Sequence, residues 1–160
     1  MLTTKHLSLP LVSLLAIGIA GSAAFAGSHD APAAMAPDTI NWGEAPPVLP
    51  PGAQIAVLSG NPMEEGAFVL RLKFPGGYEV PAHIHSGDEL ITVISGVFGI
   101  GHGDKLDRDK GEVLPVGGFV EMPAGHAHFA WAEAETVVQI HGPGPFDITY
   151  IDKADDPMTQ

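Results

Sequence analysis

The sequence predicts an all-β fold, a small antiparallel β-barrel or jelly roll, with an extended N-terminal arm following an export signal. Three observations carry this expectation. From Ala53 onward the chain is a succession of short apolar or alternating runs, among them "QIAVLSG", "AFVLRLKF", "ELITVISG", "HFAWA" and "ETVVQIHG". Gly or Pro punctuates nearly every run. No segment sustains apolar residues at the 3.6-residue spacing of a packed helix, and many short strands in such a rhythm form sandwiches or barrels.

The elements follow in order. Residues 1–26 open with Lys5 and His6, continue through an apolar run from Leu7 to Ala20, and close on small residues at Ala24 to Ala26. That order is the one an export signal needs, with cleavage near Ala26. The run contains Pro10 near its start and Gly18 near its end, which makes it short for a membrane span. No cysteine follows it as a lipid attachment point. The protein is therefore expected to be exported, periplasmic or secreted, without a stable membrane anchor. Residues 27–52 are rich in Ala and Pro and read as an arm largely without regular structure, except that Ile40 and Trp42 could pack it against a domain or a partner subunit. Residues 53–151 form the expected barrel, and residues 152–160 a polar tail.

Length and composition narrow the function. A chain of 160 residues holds one domain comfortably, not two. The absence of cysteine removes disulfides, thiolate mechanisms and Cys-rich zinc sites, and leaves histidine, carboxylate and water as the available chemistry. Net charge is −12, and all the acids follow the leader, so nucleic acid is an unsuitable partner.

The chemistry concentrates in "GGYEVPAHIHSGDELITVISG", residues 76–96. Residues two apart on a strand share a face, so His83 and His85 point one way and can grip a single ion. The turn "SGD" reverses the chain and brings Glu89 back toward the same point. Further on, "MPAGHAHFAW" offers His126 and His128, again in phase with each other. A His, His, Glu, His set suits first-row divalent metals.

These residues stand in a recognisable frame. Gly77, five residues, His83-x-His85, three residues, Glu89, six residues and Gly96 resembles the first motif of the cupin superfamily. Gly117, five residues, Pro123-x-Gly125, two residues and His128 resembles the second, although the Asn that usually ends it is here Ala132. The resemblance implies a cupin-like barrel and places the family's metal ligands on His83, His85, Glu89 and His128. It also implies a homodimer, paired through an edge strand or the Pro-rich arm with Trp42.

Neighbouring residues have two readings each. His126 is a further ligand or a solvent-exposed residue at the barrel mouth. His141 shares a face with Gln139, and the two line the cavity or end a strand structurally. Arg71 either faces inward toward a carboxylate substrate or belongs to the wet face of a strand. Met122, Phe129 and Trp131 are core or pocket wall.

One divalent transition metal ion is expected, Mn, Fe, Ni, Cu or Zn, because imidazole and carboxylate accept all five. Four protein ligands on an octahedral ion leave two positions open for an oxygen-rich small molecule, or for substrate beside dioxygen. The leading expectation is a dioxygenase-like oxidoreductase, with Glu89 as candidate general base and His126 and His141 as candidate acids or bases. The alternatives are a non-catalytic binder of metal or small ligand, and an isomerase or decarboxylase.

Overall fold

The structure, a computed structural model, describes residues 34–159. The chain divides into two units, Met1–Ala34 and Met35–Gln160. Apart from Ala34 the first lies outside the described residues, and with it the expected export signal and the start of the arm. Among the described residues no helix is long and apolar enough to cross a membrane.

Eleven strands are described: β1 (Gly43–Glu44), β2 (Gln54–Ser59), β3 (Gly66–Phe74), β4 (Tyr78–Ile84), β5 (Glu89–Ser95), β6 (Phe98–His102), β7 (Gly111–Leu114), β8 (Phe119–Met122), β9 (His128–Ala132), β10 (Thr136–Gly144) and β11 (Thr149–Tyr150). They form two antiparallel sheets, one ordered β1-β2-β3-β10-β5-β8 and the other β11-β4-β9-β6-β7. This is the all-β jelly roll that the short punctuated runs predict.

Alternation sets what each strand buries. In β3, Phe68, Leu70, Leu72 and Phe74 are buried, while Arg71 and Lys73 between them are not. Opposite them in β10, Val138 and Ile140 are buried and Gln139 and His141 are partly exposed. Each large apolar side chain taken into the core contributes on the order of 1.5–3 kcal/mol.

The second sheet buries both of its faces. Phe98 and Ile100 of β6 join the main core, whereas Phe129 and Trp131 of β9 pack with Ala82 in a separate cluster on the other face. Their rings lie over Gly99 and Gly101 of β6, where a Cβ would overlap the Trp131 or Phe129 ring. Glycine here is a condition of packing the rings flat on the sheet.

The arm departs from its sequence reading. From Gly43 it is part of the body: β1 pairs with β2, and Lys73 Nζ sits 4.3 Å from the centre of the Trp42 ring. The Tyr78 hydroxyl donates to the Pro50 carbonyl, and the Tyr150 hydroxyl donates to the Val48 carbonyl at 2.8 Å. Two phenols thus tie residues 46–50 down as a strap across one end of the core.

Candidate metal centre

A break in alternation builds the site. Tyr78 and Val80 of β4 face the interior, so regular alternation would turn His83 outward. The β4–β9 register shifts between Val80 and His83, and the bulge resets the phase so that His83 and His85 both face in. Pro81 stands in that irregular stretch, where a strand tolerates a residue with no N–H to donate. His83 then lies directly opposite His128 of β9. Glu89 begins β5 and enters from the other sheet.

The four side chains converge and are buried: His83, His85, Glu89 and His128 are only 2–5 % exposed. One ring nitrogen from each of the three histidines falls within 4.8 Å of the others. Oε2 of Glu89 is 3.4 Å from Nε2 of His85 and 3.3 Å from Nε2 of His128.

Backbone carbonyls orient the rings. His83 Nδ1 meets the Pro81 carbonyl at 2.7 Å, His128 Nδ1 meets the His126 carbonyl at 2.9 Å, and His85 Nδ1 meets the Asp147 carbonyl. A carbonyl only accepts, so Nδ1 carries the proton in all three rings. In a neutral ring the Nε2 lone pair is then left pointing at the shared centre. This is how metal-binding histidines are fixed in tautomer and direction.

Asp147 reinforces the arrangement. Its carboxylate accepts from the Ser86 backbone N–H at 2.8 Å and from the Ser86 hydroxyl at 2.6 Å. The turn after His85 is thereby clipped to the segment that holds the His85 ring, and Phe146 stacks on that ring with centroids 4.4 Å apart.

Electrostatics favour the ligand form of two members. Burial pushes the Glu89 carboxyl up, but the imidazoles of His128 and His85 outweigh it and hold the pKa at about 2. Burial, with His128 and His85 close by, brings His83 down to about 3. Burial works against charge on His85 as well, but there the Glu89 carboxylate prevails and raises the pKa.

The donor set fits a metal. Nε2 of His85 and Oε2 of Glu89 are buried without a hydrogen-bond partner, a costly arrangement unless something binds both. Three imidazole nitrogens and a carboxylate oxygen around one point are what a divalent transition ion takes.

The cluster borders a cavity of about 370 Å³. Apart from the four clustered side chains and Asp147, every lining residue is aliphatic, aromatic, proline or methionine. The strap contributes Pro46, Val48 and Leu49, and the segment after β10 contributes Phe146 and Ile148. The walls therefore lack the hydrogen-bonding groups that an oxygen-rich molecule needs, which corrects that expectation.

The remaining sequence candidates lie elsewhere. Gln139 and Arg71 face away from the cavity and bond each other, Arg71 Nε donating to Gln139 Oε1 at 3.2 Å. His141 shares that outward face of β10. Met122 is buried but does not line the cavity, and Phe129 and Trp131 occupy the separate cluster on the far face of their sheet. His126 is exposed and pairs with His102, ring nitrogens 3.0 Å apart. None of these lines the cavity.

Sequence reasoning missed the strap residues, Phe146 and Asp147. The strap had a signal in the apolar "VL" of "PPVLPP", but nothing local marks Asp147, whose carbonyl and carboxylate act across 61 and 62 residues of chain.

Comparison with known proteins agrees with the fold. The model for a domain of unknown function, DUF4437, matches residues 58–158. No curated protein matches the sequence. Among solved structures, a "putative acetylacetone dioxygenase" from Methylibium petroleiphilum is similar at 18% identity and TM-score 0.60, covering 82% of this chain and 88% of its own. The polyketide cyclase RemF from Streptomyces resistomycificus is similar at 14% identity and TM-score 0.61, with 79% and 90% covered. An RmlC-like cupin from Shewanella frigidimarina is similar at 16% identity and TM-score 0.54, with 68% and 87% covered. The activities in these names differ, so the likeness speaks to architecture. The chain belongs to the DUF4437 family, and its fold is that of the cupin superfamily.

Proposed function

We propose that the protein is a metal-dependent enzyme of dioxygenase-like type, acting on a small organic molecule that reaches the metal through oxygen. The observation that carries this reading is the pair of buried, unpartnered atoms, His85 Nε2 and Glu89 Oε2, beside a cavity sized for a small ligand. A divalent transition ion held by His83, His85, His128 and Glu89 would supply Lewis acidity and, if redox-active, electron transfer to dioxygen. The protein's own residues hold three lone pairs in fixed directions, keep Glu89 ionised, and exclude water with apolar walls. Glu89 also serves as the proton acceptor, being the one carboxylate of the cluster. His126 and His141 are too far from the cavity wall to share that role here.

The neighbour names include a dioxygenase and a cyclase, and the dioxygenase reading draws support from the first. A non-catalytic binder uses the same cluster, and Lewis-acid isomerisation or decarboxylation needs no redox-active ion. Metal analysis separates them when joined to oxygen-uptake measurements on small ketones, diketones and diols. One iron, manganese, nickel or copper per chain with substrate-dependent oxygen uptake supports the proposal. Zinc alone, or metal without turnover, contradicts it.

Export to the periplasm or medium and pairing of two copies belong to the same proposal. The first rests on the leader-like residues 1–26. The second rests on the family resemblance, and sedimentation at micromolar concentration tests it.

A further inference from the structure

The walls of the cavity say more about its occupant than the metal ligands do. No lysine, arginine, serine, threonine, asparagine, glutamine or tyrosine is among its lining residues. The one charged side chain besides Glu89, Asp147, is engaged with Ser86. Arg71, the cation nearest in sequence to the lining residues of β3, faces the opposite side of the sheet and is bonded to Gln139. Leu70, Leu72, Ile91, Val138 and Ile140 present hydrocarbon from three adjacent strands, and Phe74, Phe98 and Ile100 extend the same surface.

Such walls discriminate by what they cannot do. A hydroxyl or carboxylate pressed against them loses its water and gains no partner, which costs affinity for each such group. Sugars, sugar acids and dicarboxylates are disfavoured on this ground. Hydrocarbon gains by leaving water. Charge points the same way: a divalent ion with Glu89 as its single anionic ligand keeps one net positive charge, which one monoanionic head neutralises in a low-dielectric cavity.

We infer that the site takes a small, hydrocarbon-bodied molecule whose polar atoms are confined to one end, a head of two neighbouring oxygens able to bind the metal as a monoanion. This inference rests on the metal-centre reading for its head and on the cavity walls for its body.

The two parts are tested separately. The body is tested on chelator-treated protein with benzene, followed by NMR titration. An apolar cavity of this kind binds such a probe without any metal. The head is tested on zinc-loaded protein by calorimetry with tropolone and kojic acid, zinc content being checked afterwards. Both offer a hydroxy-ketone oxygen pair, but tropolone has a hydrocarbon ring, and kojic acid adds a ring oxygen and a hydroxymethyl group. The expected results are saturable benzene binding, tropolone binding at least about tenfold tighter than kojic acid, and a gain in tropolone affinity when zinc is present. Val138→Thr, which places a hydroxyl on the wall at nearly constant shape, is expected to narrow the preference. Equal or tighter binding of kojic acid, with no benzene binding, overturns the inference. Benzene binding with no effect of zinc on tropolone overturns the metal-bound head and the metal-centre reading while the apolar body stands.

Discussion

Oε2 of Glu89 lies 3.3 Å from Nε2 of His128, and the two residues come from different sheets of the jelly roll. An ion bound between them would join β5 of one sheet to β9 of the other. His83 and His85 share the sheet of His128, so Glu89 is the only one of the four that bridges. The centre is therefore a stability element as well as a chemical one.

Metal removal is expected to lower the melting temperature. At a free metal concentration of 100 Kd the bound ion stabilises the fold by about 2.7 kcal/mol, and chelation takes this away. Differential scanning calorimetry with and without chelator checks the effect, and a melting temperature indifferent to chelator contradicts it.

The ligands should separate from their neighbours by substitution. His83→Ala, His85→Ala and His128→Ala are each expected to abolish stoichiometric metal binding. Glu89→Gln keeps the shape but not the charge and weakens binding by more than about tenfold. His126→Ala and His141→Ala leave metal content unchanged. Plasma mass spectrometry on the purified variants gives the answer, and equal metal content across all six would sink the assignment.

Trp131→Leu provides the converse. Trp131 packs with Phe129 and Ala82 on the far side of the sheet from the cavity, so its truncation is expected to cost about 2–4 kcal/mol of stability and leave metal content intact. Urea unfolding beside metal analysis tests both halves.

The strap makes stability sensitive to alkali. Burial raises the Tyr78 and Tyr150 phenols above their ordinary value of 10, Tyr150 adding to the effect on Tyr78, and Asp156 and Asp155 to that on Tyr150. The folded chain keeps these protons where the unfolded chain loses them. Their contribution is complete below pH 10 and declines as the pH rises beyond it. Denaturant unfolding from pH 8 to 11 should show the decline, and Tyr78→Phe/Tyr150→Phe should flatten it. Tyr150→Phe alone removes the hydrogen bond to Val48 and is expected to cost about 1 kcal/mol.

Much of this was legible before the structure. The period-two runs in "AFVLRLKF" and "ETVVQIHG" announce strands with one buried face, and the structure buries that face. The convergence of His83, His85, Glu89 and His128 could be read from their spacing, because a motif fixes strand, turn and strand together. The facing of Trp131 was not legible. Its strand is apolar on both sides, so pattern alone cannot say which face meets the cavity. Gln139 and His141 were ambiguous for the opposite reason, since a polar face of a barrel strand reads alike inside and out. The strap lay beyond local reasoning altogether: Val48 becomes cavity wall only because Tyr150, 102 residues away, holds its carbonyl.

The central claim is that the buried cluster holds one metal ion. Its most direct test is the metal content of the purified protein beside that of the His83→Ala/His85→Ala variant, both confirmed as folded by circular dichroism. One transition ion per chain in the parent and none in the folded variant is the predicted result. A parent protein that stays metal-free after equilibration with each candidate ion would contradict it.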